Sequence, residues 1–517
     1  MPARRIAAAT AALAAAALVS PLLIAGPAGA TPGDGSPSWA NKGDALARKL
    51  VKDSTAKAAF KHLQTLQSIA DYNGGTRVAG SKGHEQSAKY VEAVLRGAGY
   101  KPVRHEFDFV YTAPIAEKLK VVSPTPRDVA IKLMTYTASG PEGGITGQLA
   151  AVPVDADNTN GCDAGDYATG NYAGRIALIK RGGCTFAAKQ ANAAAAGAIG
   201  AIVYNNTAGT LNGTLADPNV GKIPTGGLTQ ADGEALAAEI AAGPVTVNLD
   251  IREIHEARKT FNVVAETPGG DPDNTVFLGA HLDSVTAGPG INDNGSGSAG
   301  ILTVAQQLAK SKEKVKNKVR FAWWSAEEFG LLGSDAYVDS LSEAQKKQIR
   351  LYLNFDMIAS PNAAYFVYDG DDSDGVGSGP GPEGSAQLEK GINDFLTSQN
   401  IPHEGTDFTG RSDYGPFIGA GIPSGGTFTG AEGIKTEAQA ARYGGTAGVA
   451  YDVNYHAKGD DITNINMPAF DVNIDVIADA VGHYAYDLAP LTQPVTSTPT
   501  GGSGSGGGLH EGHDVTE

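Results

Sequence analysis

Two adjacent carboxylates, Glu327 and Glu328, stand directly after an apolar run in the stretch RFAWWSAEEFGLLGS, residues 320–334. A buried strand that delivers two like charges to its own end needs a reason, because burying charge costs free energy. One interpretation is a turn whose carboxylates face water. The other is a site in which one carboxylate binds a cation and its neighbour moves a proton.

Other apolar strands and loops end in the same residue types. They provide His281 and Asp283 in GAHLDS, Asp293 in GPGINDNGSGSAG, Asp356 in LNFDMI and His456 in VNYHAKGD. Taken singly, each has an ordinary explanation, such as a hydrogen-bonded histidine, a turn residue or a helix cap. Taken together, they indicate one shared site, because buried carboxylates at this density need cations to compensate them.

The set of two histidines and three carboxylates, with one glutamate to spare, is typical of zinc or a related transition metal. One open catalytic zinc takes three protein ligands, so five candidates are too many for a single ion. They suit two ions about 3.5–4 Å apart that share a bridging carboxylate. One glutamate of the adjacent pair is then left as a general base. The sequence therefore predicts a two-zinc hydrolytic centre.

Strand-like and helix-like segments alternate in the second half of the chain, for example in NTVFLGAHLDS, GSAGILTVAQQLAKS and KVRFAWWSAEE. This alternation predicts an α/β fold with a mixed, largely parallel central sheet and helices on both faces. Functional residues of such a sheet lie at the carboxyl ends of its strands. Phe60, Leu63, Leu66 and Ile69 recur at helical spacing and predict a helix near the N-terminus.

The composition changes along the chain and predicts a domain order. Residues 125–252 contain short β-like runs between Gly and Ala and one Ala-rich helix, which indicates a small β-rich insert. The catalytic domain is then discontinuous and comprises residues 53–124 and 253–490. Residues 31–52 are interpreted as a leader or pro-segment. Residues 491–517, rich in Gly, Ser, Thr and Pro, are expected to be a disordered tail.

The first 30 residues have the layout of a secretory signal peptide. Arg4 and Arg5 precede an apolar stretch that ends in AGA at residues 28–30. A membrane anchor is the alternative, but Pro21 and Pro27 interrupt the run before it reaches the roughly 20 residues of a membrane span. We therefore expect a secreted, extracellular protein with no membrane partner.

The net charge limits the classes of partner, and the two cysteines indicate a disulfide. The formal net charge is −16, which argues against nucleic acids and anionic membranes as partners. The only two cysteines, Cys162 and Cys184, are close in sequence. In an exported chain they are expected to form a disulfide, and a pair of free thiols is the alternative.

Long strings of the chain resemble the secreted bacterial zinc aminopeptidases of the aminopeptidase S type. They are AHLDSVTAGPGINDNGSGSAG, RFAWWSAEEFGLLGS, YLNFDMI, GRSDYGPF and GGTAGVAYDVNYH. These enzymes belong to the co-catalytic di-zinc exopeptidases, a larger family that includes aminopeptidase Y, and the similarity covers about residues 53–115 and 258–490. The insert, around GRIALIKRGGCTFAAKQANAAAAGAIGAIVYNN, resembles a protease-associated domain.

The resemblance implies a role for each residue of the constellation. Five residues would bind two Zn²⁺ ions, with Asp293 as the bridge: His281, Asp293, Glu328, Asp356 and His456. Glu327 would be the general base, and Asp283 would help to hold the site. Arg411 and Tyr455 would polarise the scissile carbonyl and stabilise the oxyanion. Gly410 and Phe428 would form the wall of a pocket for a large apolar side chain.

The implied activity is that of a monomeric aminopeptidase acting on peptides with a free N-terminus. A carboxypeptidase or dipeptidase on the same scaffold is the main alternative. A metal-free receptor and a glutaminyl cyclase are further alternatives, but the complete ligand set and the paired glutamates favour hydrolysis. The chain departs from the aminopeptidase S pattern at Asn454 and Gly459, where that pattern has cysteines flanking the Tyr-His pair.

Some aminopeptidase S enzymes also bind Ca²⁺ away from the zinc ions, and the matching residues here are Asp53, Asp471 and Asp475. Asp471 and Asp475 are four residues apart on a predicted helix, so they share a face, and Ca²⁺ prefers such oxygen ligands. Capping of a helix N-terminus is the alternative. The acidic run DGDDSDG at 369–375 is interpreted as a solvated loop, because Pro380 stands where a calcium loop needs its closing Glu.

Overall fold

The computed structural model describes residues 38–156, 158–207, 209, 211–375 and 379–496. The predicted signal peptide lies outside these residues, and so do residues 31–37 of the predicted leader and residues 497–517 of the predicted tail. No helix within the described ranges is both long enough and apolar enough to cross a membrane.

The helices begin and end where local sequence signals allow. Thr55 and Ser81 precede two of them and accept hydrogen bonds from the N–H groups of Ala58 and His84, and Gly99 ends the second with φ 96°. The described residues form twelve α-helices: α1 Trp39–Asp53, α2 Ala56–Tyr72, α3 Lys82–Ala98, α4 Phe186–Ala195, α5 Gln230–Ala242, α6 Gly297–Ser311, α7 Leu332–Asp339, α8 Glu343–Gln348, α9 Ser385–Ser398, α10 Gly415–Gly419, α11 Glu437–Tyr443 and α12 Met467–Tyr484.

The strands of the described residues join into one extended sheet. They are β1 Val103–Ser123, β2 Arg127–Val129, β3 Lys132–Thr135, β4 Ile145–Ala151, β5 Ile176–Lys180, β6 Gly200–Tyr204, β7 Gly213–Thr214, β8 Thr225–Leu228, β9 Thr246–Glu266, β10 Asp271–His281, β11 Asn317–Trp324, β12 Ile349–Phe355, β13 Phe366–Tyr368, β14 Glu404–Thr406 and β15 Ser424–Phe428. The order is β14-β13-β15-β12-β10-β11-β9-β4-β5-β6-β8-β3-β7, and β1 pairs with β2 and β9.

The catalytic part of the sheet is covered on both faces, as predicted. Strands β11, β10, β12 and β15 run parallel to one another, while β9 is antiparallel to β11 and β13 is antiparallel to β15. Successive side chains of a strand point to opposite faces. Leu278 of β10 packs into the core that includes α2, α6 and α12, and Phe277 packs against Tyr337 of α7 and Phe417 of α10. The predicted mixed α/β fold is confirmed.

Two long strands connect the insert to the catalytic part. β1 and β9 pair antiparallel from Val103 opposite Val264 to Ser123 opposite Thr246. The end of the pair at Ser123 and Thr246 belongs to the insert, where β9 also pairs with β4. The end at Val103 and Val264 belongs to the catalytic sheet, where β9 pairs with β11. The predicted boundary at 252/253 therefore falls inside one continuous strand, because the pairing with β1 runs through it. Within the insert, Cys162 and Cys184 form the predicted disulfide.

Helix α1 lies in the segment interpreted as a leader. Leu46 and Leu50, one helical turn apart, are buried in the main core, and Ala47 is buried beside them. Gly482 of α12 approaches the backbone of Ala47 so closely that an added Cβ would lie 2.2 Å from its Cα. From Trp39 onward, this segment is therefore packed into the catalytic domain. The interpretation of residues 31–52 as a leader or pro-segment stays a prediction.

Candidate metal centre

Three neighbouring parallel strands end at one place, and each brings a ligand-type side chain there. His281 is the last residue of β10, Asp356 directly follows β12, and Glu327 and Glu328 stand in the turn after β11. His281 lies opposite Trp324 in the parallel register of β10 and β11. Because the carboxyl ends of parallel strands meet at one edge of the sheet, these side chains converge.

Asp293 reaches the same place from a kinked turn, Ile291–Ser296, that leads into α6. The N–H groups of Asn292 and Asp293 donate to the two carboxylate oxygens of Asp460, at 2.7 and 3.0 Å. Asp460 belongs to the same loop as His456. Asp460 therefore ties the turn that carries Asp293 to the loop that carries the second histidine.

The carboxylate of Asp293 lies between two groups of possible metal-ligand atoms. Its Oδ1 is 3.2 Å from Nε2 of His281, which is 3.4 Å from Oδ1 of Asp356. Its Oδ2 is 3.2 Å from Nε2 of His456, which is 3.1 Å from Oε2 of Glu328. Each side offers one histidine, one carboxylate and one oxygen of Asp293. This is the donor arrangement of a carboxylate that bridges two metal ions.

The two adjacent glutamates face different sides of the centre. Glu328 faces His456, whereas Glu327 is fully buried with its Oε2 3.7 Å from Nε2 of His281. The N–H of Glu327 donates to Oδ1 of Asp283 at 3.4 Å, and the same oxygen is 3.7 Å from Nδ1 of His281. Asp283 therefore stands behind both residues, where it orients the ring and the turn.

The charges of the centre test whether metal ions fit it. Burial raises the pKa of Glu327 well above its ordinary value and that of Glu328 to about 7. Burial also acts to raise the pKa of Asp293, but the neighbouring His281 and His456 lower it overall. Oδ1 of Asp356 accepts no hydrogen bond from a described residue. The carboxylates exceed the histidines that could balance them, so the residues fit two divalent cations, and their types suit zinc.

A chain of buried hydrogen bonds ends on Asp356. Trp324 Nε1–H donates to Tyr352 Oη at 2.8 Å, and Tyr352 donates to Asn354 Oδ1 at 3.0 Å. Asn354 Nδ2–H donates to Ser412 Oγ at 2.8 Å, and Ser412 donates to Asp356 Oδ2 at 2.7 Å. Every donor points toward Asp356, so the chain fixes Oδ2 and leaves Oδ1 facing the centre. No sequence pattern predicted this chain, because its members come from separate segments that only the fold brings together.

Asp413 is a second missed residue. It is fully buried, and burial raises its pKa to about 8, with His281 acting in the opposite direction and Asp356 and Asp283 adding to the rise. It is part of GRSDYG, a string already singled out for Arg411. The sequence signal that could have pointed to Asp413 is its position as an acidic residue inside this string.

The Tyr455–His456 pair lies in a loop that side-chain amides brace. The two rings stack with centroids 3.9 Å apart, and burial raises the pKa of Tyr455 well above its ordinary value. Asn454 Nδ2–H donates to Asn464 Oδ1 at 2.7 Å. A Cβ added to Gly459 would lie 2.2 Å from Asn454 Oδ1. Close packing and a hydrogen bond therefore occupy the place of the absent disulfide.

The residues predicted to bind substrate lie around the Asp356 side of the centre. Arg411 and Gly410 directly precede Ser412, whose hydroxyl binds Asp356. Phe428, in β15, is buried and packs against Phe366 with ring centroids 6.0 Å apart. Phe428 thus belongs to an aromatic core. The roles of Arg411, Gly410 and Phe428 in substrate binding stay predictions.

The residues predicted to bind calcium lie on α1 and α12. Oδ1 of Asp471 accepts the N–H of Ala56, the first residue of α2, at 2.8 Å, as in the helix-capping alternative. Asp53 and Asp475 do not join Asp471 in any group of three whose ligand atoms lie within 4.8 Å of one another in the described ranges. A calcium ion at this place stays a prediction.

The acidic run at 369–375 is not a solvated loop throughout. Asp369, Asp371 and Glu389 bring ligand atoms within 4.8 Å of one another. Asp369 is 1% exposed and Glu389 is 4% exposed, so the interpretation as a solvated loop is wrong at Asp369. Glu389, on α9, accepts the N–H groups of Gly370 and Asp371 at 2.9 and 3.3 Å. The loop folds onto α9, which comes later in the chain. The interpretation as a solvated loop rested on the acidic run alone and took no account of this helix.

Comparison with known sequences identifies two domains. Residues 262–481 match Peptidase family M28, and residues 145–236 match the PA domain, which confirms the protease-associated insert. Leucine aminopeptidase 2 of Trichophyton tonsurans is 47% identical over 436 residues, which cover 84% of this chain and 85% of that protein. Probable leucine aminopeptidase 2 of Aspergillus fumigatus is 47% identical over 466 residues, which cover 86% and 90%.

Solved structures agree with the sequence relatives. The aminopeptidase from Aneurinibacillus sp. strain AM-1 is 28% identical with a TM-score of 0.68, over 85% of this chain and 95% of that chain. A zinc aminopeptidase from Bacillus subtilis is 26% identical with a TM-score of 0.59, over 83% and 94%. The two sequence relatives are fungal, so the bacterial subtype that the motifs resemble is not confirmed. The chain belongs to peptidase family M28 and carries a PA domain.

Proposed function

We propose that this protein is a secreted aminopeptidase that uses two zinc ions to remove large apolar N-terminal residues, such as leucine, from peptides. Its family and its zinc aminopeptidase relatives make it a metallo-aminopeptidase. The two-metal proposal is supported above all by Asp293, whose two oxygens face two separate histidine–carboxylate groups. The relatives named leucine aminopeptidase support the preference for leucine.

The distances between the ligand atoms support two ligand sets. One zinc would be held by His281, Asp356 and Oδ1 of Asp293, and the other by His456, Glu328 and Oδ2 of Asp293. Zinc bound there supplies Lewis acidity and lowers the pKa of a bound water to roughly 7. Asp283 and Ser412 keep His281 and Asp356 in place through their contacts behind these two ligands.

Glu327 moves the proton in this mechanism. Its carboxylate lies on the His281 side of the centre, where it accepts a proton from the attacking water and returns it to the leaving amine. Tyr455, like any tyrosine at neutral pH, keeps its hydroxyl proton, and burial raises its pKa further, so it can donate to the oxyanion. Following the family resemblance, Glu327, Asp356 and the loop at Arg411 receive the free amine of the substrate.

A substrate panel tests the proposed function. The secreted protein is assayed on leucine anilide, on N-acetyl-leucine anilide and on an N-blocked peptide with a free C-terminus, each with and without a chelator and with zinc added back. We expect release from leucine anilide alone, lost with the chelator and restored by zinc. Release from the N-blocked peptide alone would contradict the proposal and indicate a carboxypeptidase.

Secretion is part of the proposal. It is supported by the signal-like start of the sequence and by the Cys162–Cys184 disulfide, because disulfides persist in oxidising compartments. Sequencing the N-terminus of protein recovered from the culture medium is expected to show a chain that begins at Thr31 or later. A chain retained in the cells with Met1 intact would contradict secretion.

A further inference from the structure

Arg77 is a buried cation that takes no part in the mechanism described so far. It lies in the turn between α2 and α3, before the insert, and outside the residues that match Peptidase family M28. Its side chain is 0% exposed. Along the chain it is 205 residues from Leu282, one of its partners.

All of the hydrogen bonds that Arg77 makes go to the segment 282–290. Its Nε–H donates to the carbonyl oxygen of Pro289 at 2.8 Å, and its two Nη groups donate to the carbonyl oxygens of Leu282 and Gly290. Its backbone N–H donates to Ser284 Oγ at 2.9 Å. One side chain therefore ties together both ends of this segment.

The segment 282–290 connects two ligands of the metal centre. It begins directly after His281, includes Asp283, and ends in the turn that carries Asp293. Its end is tightly packed, because Gly290 has φ 62° and an added Cβ there would lie 2.3 Å from the carbonyl oxygen of Asp293. The guanidinium thus holds the backbone on either side of the gap between His281 and Asp293.

The chemistry of this contact requires arginine. A guanidinium presents its donors in a rigid planar fork, whereas a lysine has one compact ammonium on a flexible stem and cannot reach three separated carbonyls in the same way. Burial lowers the pKa of Arg77 to about 10, while Asp283, Asp460 and Asp293 act in the opposite direction. The side chain is therefore charged at neutral pH and places a fixed positive charge behind the carboxylates.

We propose that Arg77 is a positioning residue that sets the separation of His281 and Asp293, and thereby the zinc affinity of the site that these two ligands share. The proposal rests on the proposed two-zinc centre. A residue that only stabilised the core would lower the free energy of unfolding without changing the zinc affinity of the folded protein.

The test compares Arg77→Met, Arg77→Lys and a matched control, Arg104→Met, in the full chain. Arg104 is a partly buried arginine that pairs with Glu92 and Glu85 and touches none of the metal ligands. The zinc dissociation constant of each folded variant is measured by competition with a chromophoric chelator, and turnover of leucine anilide is followed as zinc is increased.

We expect Arg77→Met to bind zinc in the site shared by His281 and Asp293 at least about 10-fold less tightly than wild type, as is usual when a group that orients a ligand is lost. Arg77→Lys should show a smaller loss, because it keeps the charge but not the fork, and Arg104→Met should match wild type. Added zinc should restore kcat of Arg77→Met with KM unchanged. This rescue supports the proposal only in a variant that is folded before zinc is added, because zinc also stabilises a merely destabilised fold by mass action.

Two results would overturn the proposal. One is an Arg77→Met protein that folds and binds both zinc ions within twofold of wild type. The other is failure of both Arg77 variants to fold with or without zinc, which would make Arg77 a folding residue. A wild-type protein that binds no zinc would instead refute the two-zinc centre itself, so the two failures are distinguishable.

Discussion

The hydroxyl of Ser412 is the last donor of the buried chain that ends on Asp356, and it is also the acceptor for Asn354. In Ser412→Ala we expect zinc affinity to fall about 10–100-fold, because the ligand loses the group that orients it. We also expect the free energy of unfolding to fall by about 1–3 kcal/mol, because the amide of Asn354 loses a buried acceptor. Chelator competition and urea unfolding measure the two effects.

Ser424→Ala is the control for this prediction. Ser424 is also buried and donates to a backbone carbonyl, that of Ile422, but its hydroxyl touches no metal ligand. This variant should lose stability and keep its zinc affinity. Equal zinc affinities in the Ser412 and Ser424 variants would show that the hydrogen bond to Asp356 does not tune the metal centre.

Single residues differ in how much the sequence reveals about them. The ligands were predictable because His281, Asp356 and the adjacent glutamates are polar residues at the ends of apolar runs, where burial demands a partner. Ser412 and Arg77 gave no such signal, since each acts through residues that are distant in sequence. Their roles depend on contacts that only the folded chain creates.

At the scale of elements, α9 and the loop after β13 form a pH-sensitive contact. Burial raises the pKa of Glu389 to about 8, with Asp371 and Asp369 adding to the rise. The folded protein therefore binds this proton more tightly than the unfolded chain does. The resulting stability is fully present below the ordinary pKa of glutamate and is lost as pH rises through about 8.

We expect the free energy of unfolding of the zinc-saturated protein to fall between pH 5 and pH 8. In Glu389→Gln this fall should be smaller by about 1–3 kcal/mol. A glutamine still accepts the N–H groups of Gly370 and Asp371 but carries no charge. Urea unfolding of both proteins at the two pH values checks this. Identical pH dependence in the two proteins would show that Glu389 does not titrate in this range.

The elements were partly predictable from the sequence. α2 and α6 follow the expected patterns, because amphipathic spacing is a local signal. The predicted domain boundary at 252/253 divides β9, since only the pairing with β1 shows that this strand is continuous. α1 lies in the segment interpreted as a leader or pro-segment, and its burial depends on packing against α12, which is distant in sequence.

At the scale of the whole molecule, metal removal should destabilise the fold in a pH-dependent way. Without metal, burial raises the pKa of Glu328 to about 7 and that of Glu327 well above its ordinary value, so stability is lost as pH rises through these values. A bound cation removes this penalty, and its binding competes with protons. We therefore expect a chelator to lower the unfolding temperature more at pH 8 than at pH 5.5.

Calorimetry of the full chain with and without the chelator checks this prediction. A chelator-induced shift of equal size at both pH values would mean that the buried carboxylates are not what the metal ions compensate. A protein that loses its metal without any change in unfolding temperature would mean that the centre contributes nothing to the fold.

The adjacent glutamates are proposed to have different roles, with Glu328 binding metal and Glu327 moving the proton. The most direct measurement is zinc content together with turnover of leucine anilide in Glu327→Gln and Glu328→Gln. We predict that Glu327→Gln keeps two zinc ions per chain while turnover falls by about 10²–10⁴-fold, and that Glu328→Gln loses zinc. A Glu327→Gln protein with turnover within a few-fold of wild type, or with its zinc lost, would contradict the account.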